Sequence, residues 1–276
     1  MTGLIFDIQR ASFVDGEGVR TVIFFKGCNL RCKWCHNPEG ISPQKELLFY
    51  KDKCSGCGIC KDVCQSKASC LLCGECALAC PNDAKELCGK EYTLDALMEI
   101  IERDRALFES TGGGVTLSGG ECLIQIDFVE SLLKECHKKG INTAVDTAGN
   151  VPFEYFQRIL PYTDTFLFDI KIANVPLHID LTGVSNKLIL ENLDKLLELK
   201  KQVVVCIPLI GGINDNDREM NAIFQLLKGK PIKAVKILPY HSLAAHKYEA
   251  LGKKFNQYST PSDEKIKKYK QMFKEI

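Results

Sequence analysis

No run of about 18 apolar residues, the length a membrane-spanning helix needs, occurs anywhere in this chain. Its first residues, MTGLIFDIQR, lack the basic stretch and long apolar core of an export signal. An excess of one charge is missing too: 36 Lys and Arg face 35 Asp and Glu. Without such an excess, no broad field gathers nucleic acid or an anionic membrane surface, so neither is expected as a partner. Low-complexity segments are also lacking. These absences predict a soluble, cytoplasmic protein whose partners are recognised locally. With 276 residues, 45% of them hydrophobic, the chain can bury one substantial core plus a small appendage.

What the chain has in abundance is cysteine: fifteen residues, eleven of them between Cys28 and Cys80. Such a count suggests disulfides in a small secreted protein. Here the export signal is absent and the cysteines repeat at metal-ligand spacings, so they read as cluster ligands. Several exposed clusters would be oxidatively fragile, which predicts a reducing, anoxic setting.

From Tyr92 onward, short β-rich runs alternate with helical patterns, the signature of βα units around a parallel sheet. Strands are expected at Thr21–Phe25, Val115–Leu117, Thr143–Val145, Thr165–Phe168, Val203–Leu209 and Ala234–Leu238, giving an α/β fold with a partial, six-stranded (β/α)6 TIM-like barrel. Leu94, Leu97, Met98 and Ile101 fall on one helical face, as do Val129, Leu132, Leu133 and Cys136. A third helix is expected from Leu188 to Leu199, N-capped by Ser185 or Asn186, with Lys200 and Lys201 suiting its C-terminal dipole. Lys265 to Lys274 reads as a solvated terminal helix. Residues 51–89 break the rhythm and form an insert, leaving 1–50 and 90–276 as the core.

Cys28-Asn-Leu-Arg-Cys32-Lys-Trp-Cys35 directly follows an expected strand, which puts three thiolates at a strand's C-terminal end, where barrel enzymes place their chemistry. A four-iron cluster normally takes four thiolates, so three leave one iron open to a substrate. The competing reading is zinc with His36 as fourth ligand, although adjacent Cys35 and His36 fit one small ion with difficulty. The remaining strand ends are polar: Ser118-Gly119-Gly120-Glu121, Asp146-Thr147, Asp169-Ile170-Lys171, Gly211-Gly212 and Pro239-Tyr240-His241. Glycines allow close backbone approach to a ligand, and Asp169 and Lys171, two apart, face the same side of a strand.

The Cys-x3-Cys-x2-Cys motif, with the aromatic Trp34 before its last cysteine, resembles the radical S-adenosylmethionine (SAM) superfamily. That resemblance implies that SAM chelates the open iron of a 4Fe–4S cluster and is cleaved reductively to a 5′-deoxyadenosyl radical. Val14-Asp15-Gly16-Glu17-Gly18-Val19-Arg20, Phe25 to Cys28, Trp34 to Asn37, Gly112 to Thr116, Ser118 to Glu121, Asp146-Thr147, Asp169 to Lys171 and Leu238 to His241 together resemble the activating enzymes of glycyl radical enzymes. This implies a radical SAM oxidoreductase that abstracts hydrogen from a backbone glycine of a large partner enzyme, is fed electrons by flavodoxin or ferredoxin, and is monomeric when free.

SAM contacts are implied for Trp34, Cys35, His36, Gly119, Gly120, Asp169, Ile170, Lys171 and His241, with a monovalent cation near Asp146 and Asp169. Asp15 and Arg20 are placed at the substrate peptide. The family departs from this chain in two places: Glu17 stands where proline is usual, and Cys206 replaces a common arginine.

The insert repeats Cys-x2-Cys-x2-Cys-x3-Cys twice and resembles a bacterial two-cluster ferredoxin, in which the fourth cysteine of each run serves the other cluster. Cys54, Cys57, Cys60 and Cys80 are then expected on one 4Fe–4S cluster, and Cys70, Cys73, Cys76 and Cys64 on another, making three clusters in all. Two zinc ions are the competing reading. Of the leftover cysteines, Cys88, Cys136 and Cys206 read as buried thiols, and Cys122 is the one placed to approach the site. A radical SAM enzyme acting on a small molecule or another peptide, or a simple electron carrier, are the alternatives. A carrier would need neither the three-cysteine site nor the polar strand ends.

Overall fold

The computed structural model describes residues 1–66 and 69–276. Its strands are β1 (Thr2–Ser12), β2 (Arg20–Phe25), β3 (Glu46–Phe49), β4 (Lys85–Cys88), β5 (Lys90–Thr93), β6 (Gly114–Gly119), β7 (Asn142–Thr147), β8 (Thr165–Asp169), β9 (Val203–Leu209) and β10 (Ala234–Pro239). Eight form one sheet in the order β10-β9-β8-β7-β6-β2-β1-β5, and β3 pairs with β4 separately. The six expected strands are all present, and they run parallel from β2 through β10.

β1 and the short β3, β4 and β5 were not foreseen. β1 joins β2 and β5 as an antiparallel edge with only a partial alternation of burial, and the other three have four residues each, too few to carry a period.

The predicted helical faces are the buried ones. Leu97, Met98 and Ile101 point inward from Leu94–Glu102, and Val129, Leu132, Leu133 and Cys136 from Ile126–Lys138. The third expected helix spans Lys187–Glu198, and Asn186 precedes it without a capping bond; its amide donates instead to the carbonyls of Ile172 and Ala173. These faces join strand residues such as Ile23, Leu117, Val145 and Phe168 in one core. Each fully buried large apolar side chain stabilises the fold by about 1.5–3 kcal/mol, so this layer holds the strand ends in place.

The two rims of the open sheet are tied together by the loop between β1 and β2. Glu17 pairs with Lys233 at 2.9 Å, and Lys236 Nζ donates to the Val14 carbonyl at 3.2 Å, linking that loop to β10. The insert projects from the β3–β4 pair. Its short helices Ile59–Asp62 and Glu75–Leu78 each follow a glycine in the left-handed region, Gly58 at φ +84° and Gly74 at φ +86°, so the sequence repeat is matched by a repeat in backbone shape. No helix among the described residues is long and apolar enough to cross a membrane.

Candidate functional site

The C-terminal ends of the parallel strands surround a cavity of about 470 Å³. On its walls stand Cys32, Trp34, Cys35 and His36 from the loop after β2, Gly119 from β6 and Asp146 from β7. Asp169, Lys171 and His241 come from the ends of β8 and β10, and Asp15 from the loop that closes the sheet. Residues up to 226 positions apart thus share one space because parallel strands bring their ends together.

Asp169 and Lys171 form an ion pair at 2.5 Å. Burial works against the Lys171 ammonium, but Asp169, the Cys32 thiol and Asp146 outweigh it and hold the amine protonated well above its ordinary range. Ser118 Oγ donates to Asp146 at 2.6 Å. Burial and the nearby Asp169 nevertheless push the Asp146 carboxyl up to about 7.

His36 and His241 stack face to face, 4.3 Å between ring centroids, and Tyr240 lies 5.2 Å from His36 on the other contact. Burial, reinforced by His241, lowers His36 to about 4, so its ring is neutral near pH 7. His36 Nε2 and the Tyr240 hydroxyl are buried without a hydrogen-bond partner, and both residues line the cavity. A polar ligand would satisfy them.

Four sequence-predicted residues stand off the cavity: Gly120, Ile170, Arg20 and Cys28. Gly120 donates its N–H to Phe25, and a Cβ there would meet the Gly27 and Gly40 carbonyls at 2.2 and 2.5 Å, so this glycine is required by backbone packing. Ile170 is buried and donates to the Cys206 carbonyl. Arg20, expected at the peptide, is 1% exposed; its guanidinium bonds Thr116, the carbonyls of Glu17, Val115 and Asn142, and the Asn142 side chain. It holds the Asp15 loop from below.

Cys122 does not approach the cavity either. Its thiol is wholly buried against the Leu117 and Asp146 carbonyls. Cys206 does reach the wall, in register with Asp169 on one side and Lys236 on the other.

The Cys28 sulfur accepts from the Leu30 N–H at 3.4 Å. Burial raises the three thiols, Cys28 and Cys35 to about 11 and Cys32 to about 12. Thiols so disfavoured as anions ionise readily only when a cationic metal centre compensates them. Among the described residues no three His, Cys, Asp or Glu side chains are spaced to hold one metal ion. A four-iron cluster makes no such demand, since each thiolate binds a different iron.

In the insert, one cavity of about 390 Å³ has Cys54, Cys57, Cys60 and Cys80 on its walls, and another of about 280 Å³ has Cys64, Cys70, Cys73 and Cys76, with Cys60 between the two.

The sequence profile of the radical SAM superfamily matches residues 22–227. The trans-4-hydroxy-L-proline dehydratase activating enzyme of Clostridioides difficile is 40% identical over 291 aligned positions, covering 99% of this chain and 96% of the relative. The chain belongs to the radical SAM activating enzymes of glycyl radical enzymes. The choline trimethylamine-lyase activating enzyme of Oleidesulfovibrio alaskensis is 41% identical, over 90% of this chain and 87% of its own length. Among solved structures, a domain of a pyruvate-formate lyase-activating enzyme from Bacteroides vulgatus covers 59% of this activase at 28% identity and a TM-score of 0.51, with 94% of that domain aligned. A radical SAM methyltransferase from Sphaerobacter thermophilus, 17% identical, aligns over the whole chain and 75% of its own with a TM-score of 0.54, and shares the fold.

Sequence patterns did not reveal the segment that clamps the activase's cluster loop. Tyr248 donates to the Cys35 carbonyl at 3.1 Å, Lys247 bonds Asn37 and Glu39, and Lys253 reaches Glu46. These contacts span more than 200 residues and leave no local signature. Glu121 was noted only as part of a motif. Its carboxylate is fully buried and accepts from Thr147 Oγ1 and the Ala148 N–H, both at 2.9 Å, which locks the end of β6 to that of β7.

Proposed function

We propose that this activase generates its radical in the strand-end cavity and delivers it to a backbone glycine of a large partner glycyl radical enzyme. The observation that carries this reading is that one cavity gathers cluster cysteines, the Asp169–Lys171 pair and the Asp15 loop. When bound, a reduced 4Fe–4S cluster supplies one electron to the SAM sulfonium, giving methionine and a 5′-deoxyadenosyl radical. Cys28, Cys32 and Cys35 hold that cluster.

Lys171 offers a donor to the SAM carboxylate, and Asp169 accepts from the ribose hydroxyls. Gly119 exposes backbone beside the amino group, with Gly120 and Ile170 setting the backbone behind it. The stacked His36 and His241, with Trp34 on the wall of the same cavity, would cover the adenosine. Asp146 and Asp169 repel each other, and a monovalent cation between them would relieve that repulsion. Asp15 lies along the incoming peptide, and Arg20 fixes its loop.

Residues 51–89 carry two further 4Fe–4S clusters, one on Cys54, Cys57, Cys60 and Cys80, the other on Cys64, Cys70, Cys73 and Cys76. They relay electrons from flavodoxin or ferredoxin to the core formed by 1–50 and 90–276. The enzyme works as a monomer in a reducing cytoplasm.

The test is anaerobic: cluster-loaded enzyme, reductant, SAM and a partner glycyl radical enzyme should give a glycine-centred EPR doublet on the partner. SAM cleavage with every partner EPR-silent would move the reading to a small-molecule substrate. No cleavage by fully loaded, reduced enzyme would overturn both.

A further inference from the structure

We propose that Asn214 is the positioning residue for Lys171, its buried side-chain amide standing in for the strand pairing that Pro208 ends. This rests on the reading above that Lys171 contacts the SAM carboxylate. β8 and β9 run in register up to Asp169 and Cys206, and the Ile170 N–H still donates to the Cys206 carbonyl. The next bond of a parallel ladder needs an N–H two positions further along β9, at Pro208, which has none. Lys171 therefore lies just past the end of the ladder, although it stands on the wall of the cavity.

Asn214, in the loop after β9, takes over from the ladder. It is 0% exposed. Its Nδ2 donates to the Lys171 carbonyl at 2.9 Å and to the Pro208 carbonyl at 2.7 Å, while its Oδ1 accepts from the Ile210 N–H at 2.7 Å. One amide thus clasps the end of β8 to the end of β9. A carboxylate in its place would have no donor, and a hydroxyl only one. The residues that follow are held in the same manner: Asn186 donates to the Ile172 and Ala173 carbonyls, and Glu219 accepts from the Ala173 and Asn174 N–H groups. Of these contacts, the Asn214 bond is the one that falls on Lys171 itself. The Lys171 side chain is 13% exposed and paired with Asp169, which stays inside the ladder. In so enclosed a site a shift of the Lys171 backbone carries the ammonium with it, rather than being absorbed by a change of rotamer.

The experiment is a double-mutant cycle read by equilibrium dialysis of SAM against the anaerobically reconstituted enzyme. It compares wild type, N214L, N214A, K171M and the two double variants, with iron content and far-UV circular dichroism measured in parallel. N214L and N214A should each raise the dissociation constant of SAM about fivefold, the worth of one hydrogen bond. In the K171M background the same substitutions should change it by less than about twofold, because the group they position is gone. Equal losses in both backgrounds overturn the inference, since a merely structural role would weaken SAM binding with or without Lys171. Variants with full iron and wild-type affinity overturn it as well. Where one variant loses its iron or its fold, the other decides by the same outcomes; loss in both assigns Asn214 to the core and overturns the positioning role. K171M with wild-type affinity overturns instead the reading that Lys171 contacts SAM.

Discussion

Replacing Arg20 by methionine separates a structural role from a peptide-binding one. The guanidinium makes five hydrogen bonds inside the protein, the shortest to Thr116 Oγ1 and the Val115 carbonyl, both at 2.6 Å. Burial lowers it to about 10, against the pull of Asp164, Asp15 and Glu17, so it remains cationic near neutral pH. Methionine fills much of the same volume but donates nothing, leaving buried carbonyls of β6 and β7 unpaired. Each such group costs about 1–3 kcal/mol, so a net loss of about 3 kcal/mol is a conservative total after the desolvation of the cation is recovered. At about 2–4 °C per kcal/mol for a chain of this size, the midpoint of thermal unfolding should fall by about 6–12 °C. Circular dichroism on wild type and R20M, both metal-free and at the same concentration, measures it. A midpoint within 2 °C (about 1 kcal/mol or less) together with a raised KM for the partner enzyme would refute the structural role and return Arg20 to the peptide.

The remaining expectations follow from single contacts. K171M removes the charged donor of the Asp169 pair and should weaken SAM binding by about tenfold or more, read by equilibrium dialysis; unchanged affinity would exclude Lys171 from the ligand. Glu121 is pushed up to about 7 by burial, which outweighs its bonds from Thr147, Leu123 and Ala148. Because its folded value lies above the unfolded one, its contribution is fully present below the ordinary carboxylate range and is lost as pH rises through 7. The metal-free protein should thus lose thermal stability between about pH 5 and 8, and E121Q should flatten that slope. C64A should abolish the cluster on Cys70, Cys73 and Cys76 while sparing the other insert cluster, by iron content and EPR. Loss of the Cys54 cluster instead would show that each cysteine run serves its own cluster.

The six parallel strands were legible because a buried strand announces itself locally, as in Thr-Val-Ile-Phe-Phe before Cys28 or Val-Val-Val-Cys-Ile in β9. The cysteine motifs themselves were legible because ligand spacing is written within a few residues. Six parallel strands also sufficed to gather Asp146, Asp169, Lys171 and His241 at one mouth, a consequence of topology that needs no coordinates. Side-chain direction was another matter. Arg20, Gly120 and Ile170 sit inside motifs that point to the ligand, yet each faces backbone or core, and only the packing of β2, β6 and β9 decides that. Contacts between distant segments were likewise invisible: Glu17 with Lys233 across the sheet's open seam, Tyr248 on the cluster loop, and Lys26 between Glu46 and Cys88. The sequence alone determined which chemistry is present, because ligand spacing and strand patterning are local. The tertiary structure decided which charges meet, because burial and long-range pairing arise only when the chain closes on itself.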